Sequence, residues 1–276
     1  MKIHDSWHQY EFGGDIMANI NKIVKVNSLT EAYELNQKRS NVVLGGFMWL
    51  KMGNRSFQNA IDLSKLGLDQ IEETGDAFSI GCMCTLRDLE LHAGLNQAFK
   101  GGIREAVHHI IGVQFRNGAT VGGSIYGRYG FSDVLTCFMA LNTTVELYKA
   151  GIMPLTEFAE LKYDNDILLR IHIKKDQRRL SYQSQRLSKT DFPLITVAVS
   201  KKDDCFYIAV GARPAKARLL VKPGCTLNKN SLEEDIIDFS NWAADQFNYG
   251  SNMRGSEDYR RHLAAVYIKR GIKELL

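Results

Sequence analysis

Apolar and polar positions alternate in short blocks along this chain, and the period of alternation changes from block to block. "INKIVKVNS", residues 20–28, reads as a strand, and Ser28 with Glu31 makes a capping box that opens a helix over "LTEAYELNQK". Val42-Val43-Leu44 is a short, largely β-branched run of the fully buried strand kind, and Gly45-Gly46 cuts it off before a more helical patch from Phe47 to Lys51. "DQIEE" and "FSIGC" follow as two strands joined through Thr74-Gly75-Asp76 in a hairpin. Thr85 with Asp88 signals the start of the helix "LRDLELHA", and "IREAVHHI" is a further helix. Ser132 caps the apolar helix "DVLTCFMAL", after which "TTVELYK" and "DILLRIHIK" read as strands.

Past Asp176, "LITVAVS" and "CFYIAVGA" alternate around the charged turn Lys201-Lys202-Asp203-Asp204 to give a hairpin, and "SLEEDIIDFSNWAADQF" is an amphipathic helix. A last helix begins at Ser256, with Glu257 and Asp258 in its first turn and Lys269, Arg270 and Lys273 near its end, as the macrodipole prefers. Its Tyr259, Leu263, Val266 and Tyr267 share a face expected to be core. The order of elements is mixed rather than strictly alternating, so the expected fold class is α+β and not a doubly wound parallel sheet. Two domains are expected, 1–175 and 176–276. Residues 1–18 form an extension without a clear period, and Met17 is an alternative start.

Composition adds boundaries rather than detail. A hydrophobic content of 45% is enough for a buried core, and a net charge of +4, from 35 Lys and Arg against 31 Asp and Glu, is too mild to imply nucleic acid. No apolar run approaches the roughly 18 residues of a membrane span. The first residues lack a signal-peptide core, so a cytoplasmic location is expected. The five cysteines, Cys82, Cys84, Cys137, Cys205 and Cys225, fit neither a disulfide framework nor C-x-x-C, and no metal site is expected. His108 and His109 point about 100° apart on a helix and are read as surface or partly packed side chains.

The candidate chemistry lies in the glycines. "FRNGATVGGSIYG", residues 115–127, holds Gly118, Gly122 and Gly123 close together, and such a cluster serves a tight turn or a ligand. At Gly45-Gly46 a strand, paired glycines and a helical turn aim backbone N–H groups at one point, and a nest of amides can hold a phosphate without side-chain charge. G-x-G-x-x-G, G-K-[ST] and G-x-S-x-G are all missing, and no catalytic residue is nominated.

Two glycine turns followed by Asp133, ten positions past Gly123, make an uncommon combination. "NVVLGGFMWLKMGN", "FSIGCMCTLRDLE", "FRNGATVGGS" through Asp133, "DILLRIHIK", "KTDFPLITVAVS" and "GSEDYRRHLAAVYIKR" resemble, in order and spacing, the FAD-binding medium subunit of molybdenum hydroxylases. This is the xanthine dehydrogenase and carbon monoxide dehydrogenase family, and the likeness runs from about residue 20 to the C-terminus. The resemblance implies a two-subdomain FAD-binding domain of the vanillyl-alcohol-oxidase (PCMH) type, then a small α+β domain like that of carbon monoxide dehydrogenase flavoproteins. It implies that Leu44, Gly45, Gly46, Phe47 and Met48 wrap the FAD pyrophosphate with main-chain amides, and that Thr120, Gly122, Gly123 and Ser124 close on it from the other side. Asp133 matches an aspartate that accepts hydrogen bonds from the cofactor's sugar hydroxyls. Ile110 and Ile111 match residues near the flavin ring, Leu168 an apolar contact, and Asp191 and Phe192 the segment at the isoalloxazine edge. Arg128 and Tyr129 lie beside this path.

The sequence departs from the family pattern at Phe47-Met48-Trp49, at Ser124 and in "YGRYGF". The function the resemblance implies is an FAD-dependent oxidoreductase subunit. It would take electrons from the [2Fe-2S] clusters of a small subunit, fed by a large subunit with a molybdenum cofactor, and pass them to NAD or another acceptor, the cofactor doing the redox chemistry. An FAD-free scaffold subunit and a standalone flavin oxidoreductase are the other readings.

Overall fold

The computed structural model describes residues 18–276; residues 1–17, with Met17 and nearly all of the expected extension, lie outside the described residues. The first sheet is parallel, in the order β1 (Asn19–Lys25), β3 (Ser56–Asp62), β2 (Asn41–Leu44), with helix α1 (Leu29–Asn36) carrying the chain from β1 across to β2. Ser28 caps α1 as expected, its Oγ accepting from the Glu31 amide at 3.1 Å, but Glu31 reaches one residue further back than a standard box and accepts from the Asn27 amide. The expectation that Val42-Val43-Leu44 is fully buried is corrected. β2 is an edge strand, and only Asn41 in it is buried.

The second sheet is antiparallel, in the order β4 (Ile71–Glu73), β5 (Ala77–Gly81), β8 (Leu168–Lys174), β6 (Thr143–Leu147), β7 (Gly151–Pro154). Between β5 and β6 the chain makes six short helices: α2 (Leu86–Leu91), α3 (Ala93–Ala98), α4 (Gly102–His108), α5 (Val113–Gly118), α6 (Val121–Tyr126) and α7 (Asp133–Met139). A seventh, α8 (Leu155–Glu160), follows β7. Thr85 and Asp88 form the full reciprocal box at the head of α2.

The third sheet, β12 (Arg218–Lys222), β11 (Cys205–Gly211), β10 (Pro193–Lys202), β9 (Arg179–Arg186), is antiparallel, with the predicted hairpin at its centre. Helices α9 (Glu233–Asp245) and α10 (Glu257–Leu275) lie on one face of it. Because side chains alternate along a strand, Ile195, Val197 and Val199 of β10 meet those helices, while Ala198, with Leu180 and Tyr182 of β9, joins the core beneath the first two sheets. The two cores therefore share this sheet as a wall. Thr196 Oγ1 meets Thr136 Oγ1 of α7 across the wall at 3.0 Å, and the Ser200 hydroxyl donates to the Ala140 carbonyl.

The face of α10 predicted as core is turned by about one residue. Tyr259 is 46% exposed, and the buried line runs through Arg260, Ala264, Tyr267, Ile268, Gly271 and Leu275. Arg260 leads that line although it is charged, because its guanidinium donates to the Leu194 and Ala212 carbonyls and to Asn252. Among the described residues no helix is long and apolar enough to cross a membrane.

Candidate functional site

The two glycine turns seat directly on each other. A Cβ built on Gly46 would lie 1.4 Å from the Gly118 carbonyl oxygen, and one on Gly45 would lie 2.6 Å from Thr120 Oγ1. Side chains cannot fit there, so these positions need glycine for close approach. Met48 extends the contact, its Sδ 2.9 Å from where a Gly118 Cβ would be.

The turns differ in what their amides do. In the second turn the donors are used inside the fold: Gly122 donates to the Cys82 carbonyl at 2.8 Å, Gly123 to Thr120 Oγ1 at 3.2 Å, and Ser124 to the Thr120 carbonyl at 3.1 Å. The stretch read as a tight turn or a ligand seat is the short helix α6, N-capped by Thr120. In the first turn, no acceptor among the described residues takes the amides of Gly45, Gly46, Phe47 or Met48. Phe47 has φ 59°, which costs a non-glycine residue about 1–2 kcal/mol. Its left-handed backbone breaks the extended run after β2, the kind of bend that turns neighbouring amides toward a common anion.

Asp133, at the start of α7, is buried and held by donors from two side chains. Arg186 Nη2 donates to both its carboxylate oxygens at 2.8 Å, and the Tyr182 hydroxyl donates at 2.6 Å. Burial pushes the Asp133 carboxyl up from its ordinary value, against the pull of Arg186 and Tyr182, while the carboxylate raises Arg186 in turn. A group held by donors from two side chains functions best as an acceptor, which favours the ionised pair. Tyr182 and Arg186 both come from β9, so this constellation ties α7 to the third sheet, and neither residue carried a signal in the sequence.

Phe192 stacks on Trp49 at 5.2 Å and meets Phe131 edge-on at 4.5 Å, and Trp49 also packs on Phe115. The bulky Trp49 is thereby accommodated in an aromatic cluster rather than over the amides. Asp191 pairs with Arg254 at 3.4 Å. Ile110 and Ile111 follow α4, and Ile111 is a β-branched residue at φ 50°, a true backbone outlier. Leu168 starts β8 inside the core. Arg128 is 2% exposed, stands 4.0 Å from the Phe158 ring and donates to the Leu161 carbonyl; Tyr129 stacks on Phe131. His108 and His109 are partly exposed and bond Glu90 and Glu105.

The chain belongs to the family of FAD-binding domains in molybdopterin dehydrogenases, whose model matches residues 17–174. Among individual relatives, the glyceraldehyde dehydrogenase medium chain of Sulfolobus acidocaldarius is 23% identical over 273 residues, covering 91% of this chain and 97% of the relative. The uncharacterized protein YgfM of Escherichia coli K12 is 25% identical over 255 residues, covering 90% and 94%. In fold, the chain matches quinoline 2-oxidoreductase from Pseudomonas putida 86 with a TM-score of 0.83 at 18% identity, over 94% of this chain and 97% of that one. Carbon monoxide dehydrogenase from Hydrogenophaga pseudoflava matches with a TM-score of 0.79 at 20% identity, over 94% and 97%. The α+β class expected from the sequence is the one observed, and the family's cofactor is FAD. The residues present fit that group: four amide donors without acceptors among the described residues suit a diphosphate, which only accepts.

Proposed function

We propose that this chain is the FAD-carrying electron-transfer subunit of a molybdenum hydroxylase. The observation that carries the reading is the row of amides from Gly45 to Met48, which no described residue accepts, in a family defined by FAD binding. In this reading residues 1–175 bind the cofactor and 176–276 form the small second domain. The amides following Leu44 hold the diphosphate, and the turn of Thr120, Gly122, Gly123 and Ser124 braces them from behind. Asp133 accepts from the sugar hydroxyls with the lone pairs that Arg186 and Tyr182 leave free. Ile110, Ile111, Leu168, Asp191 and Phe192 border the ring system. FAD supplies one- and two-electron redox chemistry when bound, and the protein's part is to bind and orient it.

The partners in this reading are a large subunit with a molybdenum cofactor and a small subunit with two [2Fe-2S] clusters, the electrons pass to NAD or another acceptor, and the location is cytoplasmic. Similarity to a protein named as a medium chain supports assembly with further chains. The absorption spectrum of the purified protein tests the cofactor: a flavin spectrum with about one FAD per chain is expected. Colourless protein after incubation with excess FAD overturns the reading in favour of a scaffold. Isolation without molybdenum- and iron-bearing chains instead favours a standalone flavoprotein.

A further inference from the structure

We propose that the cleft between α4 and α10 binds a phosphate-bearing small molecule. The cleft encloses about 680 Å³, within the usual span of about 300–1,000 Å³ for ligand sites. Lys100 and Arg104 line it from the α4 side, Arg270 lines it from the α10 side, and β9 forms the floor. None of these three cations has a carboxylate within ion-pair distance among the described residues.

The two acids at the cleft are already engaged: Glu105 meets His109 at 3.1 Å, and Glu274 accepts from the Ser181 hydroxyl at 2.6 Å. Neither contact cancels a carboxylate's charge, so three cations and two carboxylates line the space, and the cations, on both walls, are the groups left without a partner. Such cations repel one another until an anion bridges them, and guanidinium groups suit phosphate oxygens because their planar forks make paired, charge-assisted hydrogen bonds. Tyr267, under the Arg270 guanidinium at 5.5 Å, and Tyr182 on the floor are packed into the cores and give the walls a fixed backing. The Tyr182 hydroxyl bonds Asp133, so this occupant would sit one side chain away from the predicted sugar contact and distinct from the amide row.

The site is tested by calorimetric titration of the full chain, saturated with FAD so that the amide row is filled, at low salt and without phosphate buffer. AMP and pyrophosphate are the probes. AMP is expected to bind at a single site with a dissociation constant below about 1 mM, and Arg104→Gln and Arg270→Gln, both at exposed positions, are each expected to weaken it about tenfold. Flavin content should be unchanged in both variants. Pyrophosphate is expected to bind at least as tightly as AMP, because the phosphate groups carry the recognition. Failure of both probes to bind, or binding that neither variant weakens, overturns it whether or not the protein carries flavin.

Discussion

Glu90 is 3% exposed and gathers three basic side chains: Arg116, itself 4% exposed, Arg87 and His108. Burial raises its pKa, but the hydrogen bonds from Arg116, His108 and Arg87 outweigh burial and bring the carboxyl from an ordinary 4.5 down to about 2. A carboxylate lowered on folding stabilises the protein above its unfolded value, and the stabilisation is lost as pH falls through the folded one. Glu90→Gln is therefore expected to cost about 3–5 kcal/mol at neutral pH, by leaving Arg116 buried and unpaired. In urea denaturation the gap from the parent protein should narrow from about pH 4.5 toward pH 2. Nothing in "LRDLELHA" marks this residue, because Arg116 lies 26 positions away and a charged residue on a helix usually faces water. The glycines are the opposite case, legible because few residues allow a backbone to come so close. Gly46→Ala is expected to force the two turns apart and abolish flavin binding. Gly75→Ala, where a Cβ meets nothing within 4 Å, should leave the flavin spectrum intact.

At the scale of elements, the hairpin of β10 and β11 and the heads of α1, α2, α7 and α10 were legible, since alternation and capping are local. What was not legible depended on distant partners. α5 and α6 were hidden by their glycines, which argue against helix until Thr120 and the Cys82 carbonyl are in position. The buried face of α10 was misread because its leading residue is an arginine, whose acceptors at Leu194 and Ala212 lie in other strands. Arg260→Ala should leave those carbonyls unpaired and destabilise the protein by roughly 2–5 kcal/mol, seen as an earlier thermal transition in the emission of Trp242 on α9.

At the scale of the whole molecule, the third sheet belongs to both cores. Its helix-facing side holds Ile195, Val197, Phe206 and Ile208, and its other side puts Leu180, Tyr182, Ala198 and Ala209 into the larger core. The mixed order of elements let the sequence give the fold class, but it could not reveal this sharing, because a strand's alternation does not say what lies opposite its small residues. Calorimetry of the full chain is expected to show one cooperative transition rather than two. A fragment ending at residue 175 should be insoluble, because it exposes the surface that β9 covers.

The wall that Thr196 and Ala198 make on β10 also bears on how such a protein changes over generations. A shuffled gene that took its flavin half from one ancestor and its tail from another would have to match Thr136 to Thr196 and make room for Ala198 in the same step. The two halves are thus bound to travel together, and new specificities are left to arise at the rims, where neighbours are few.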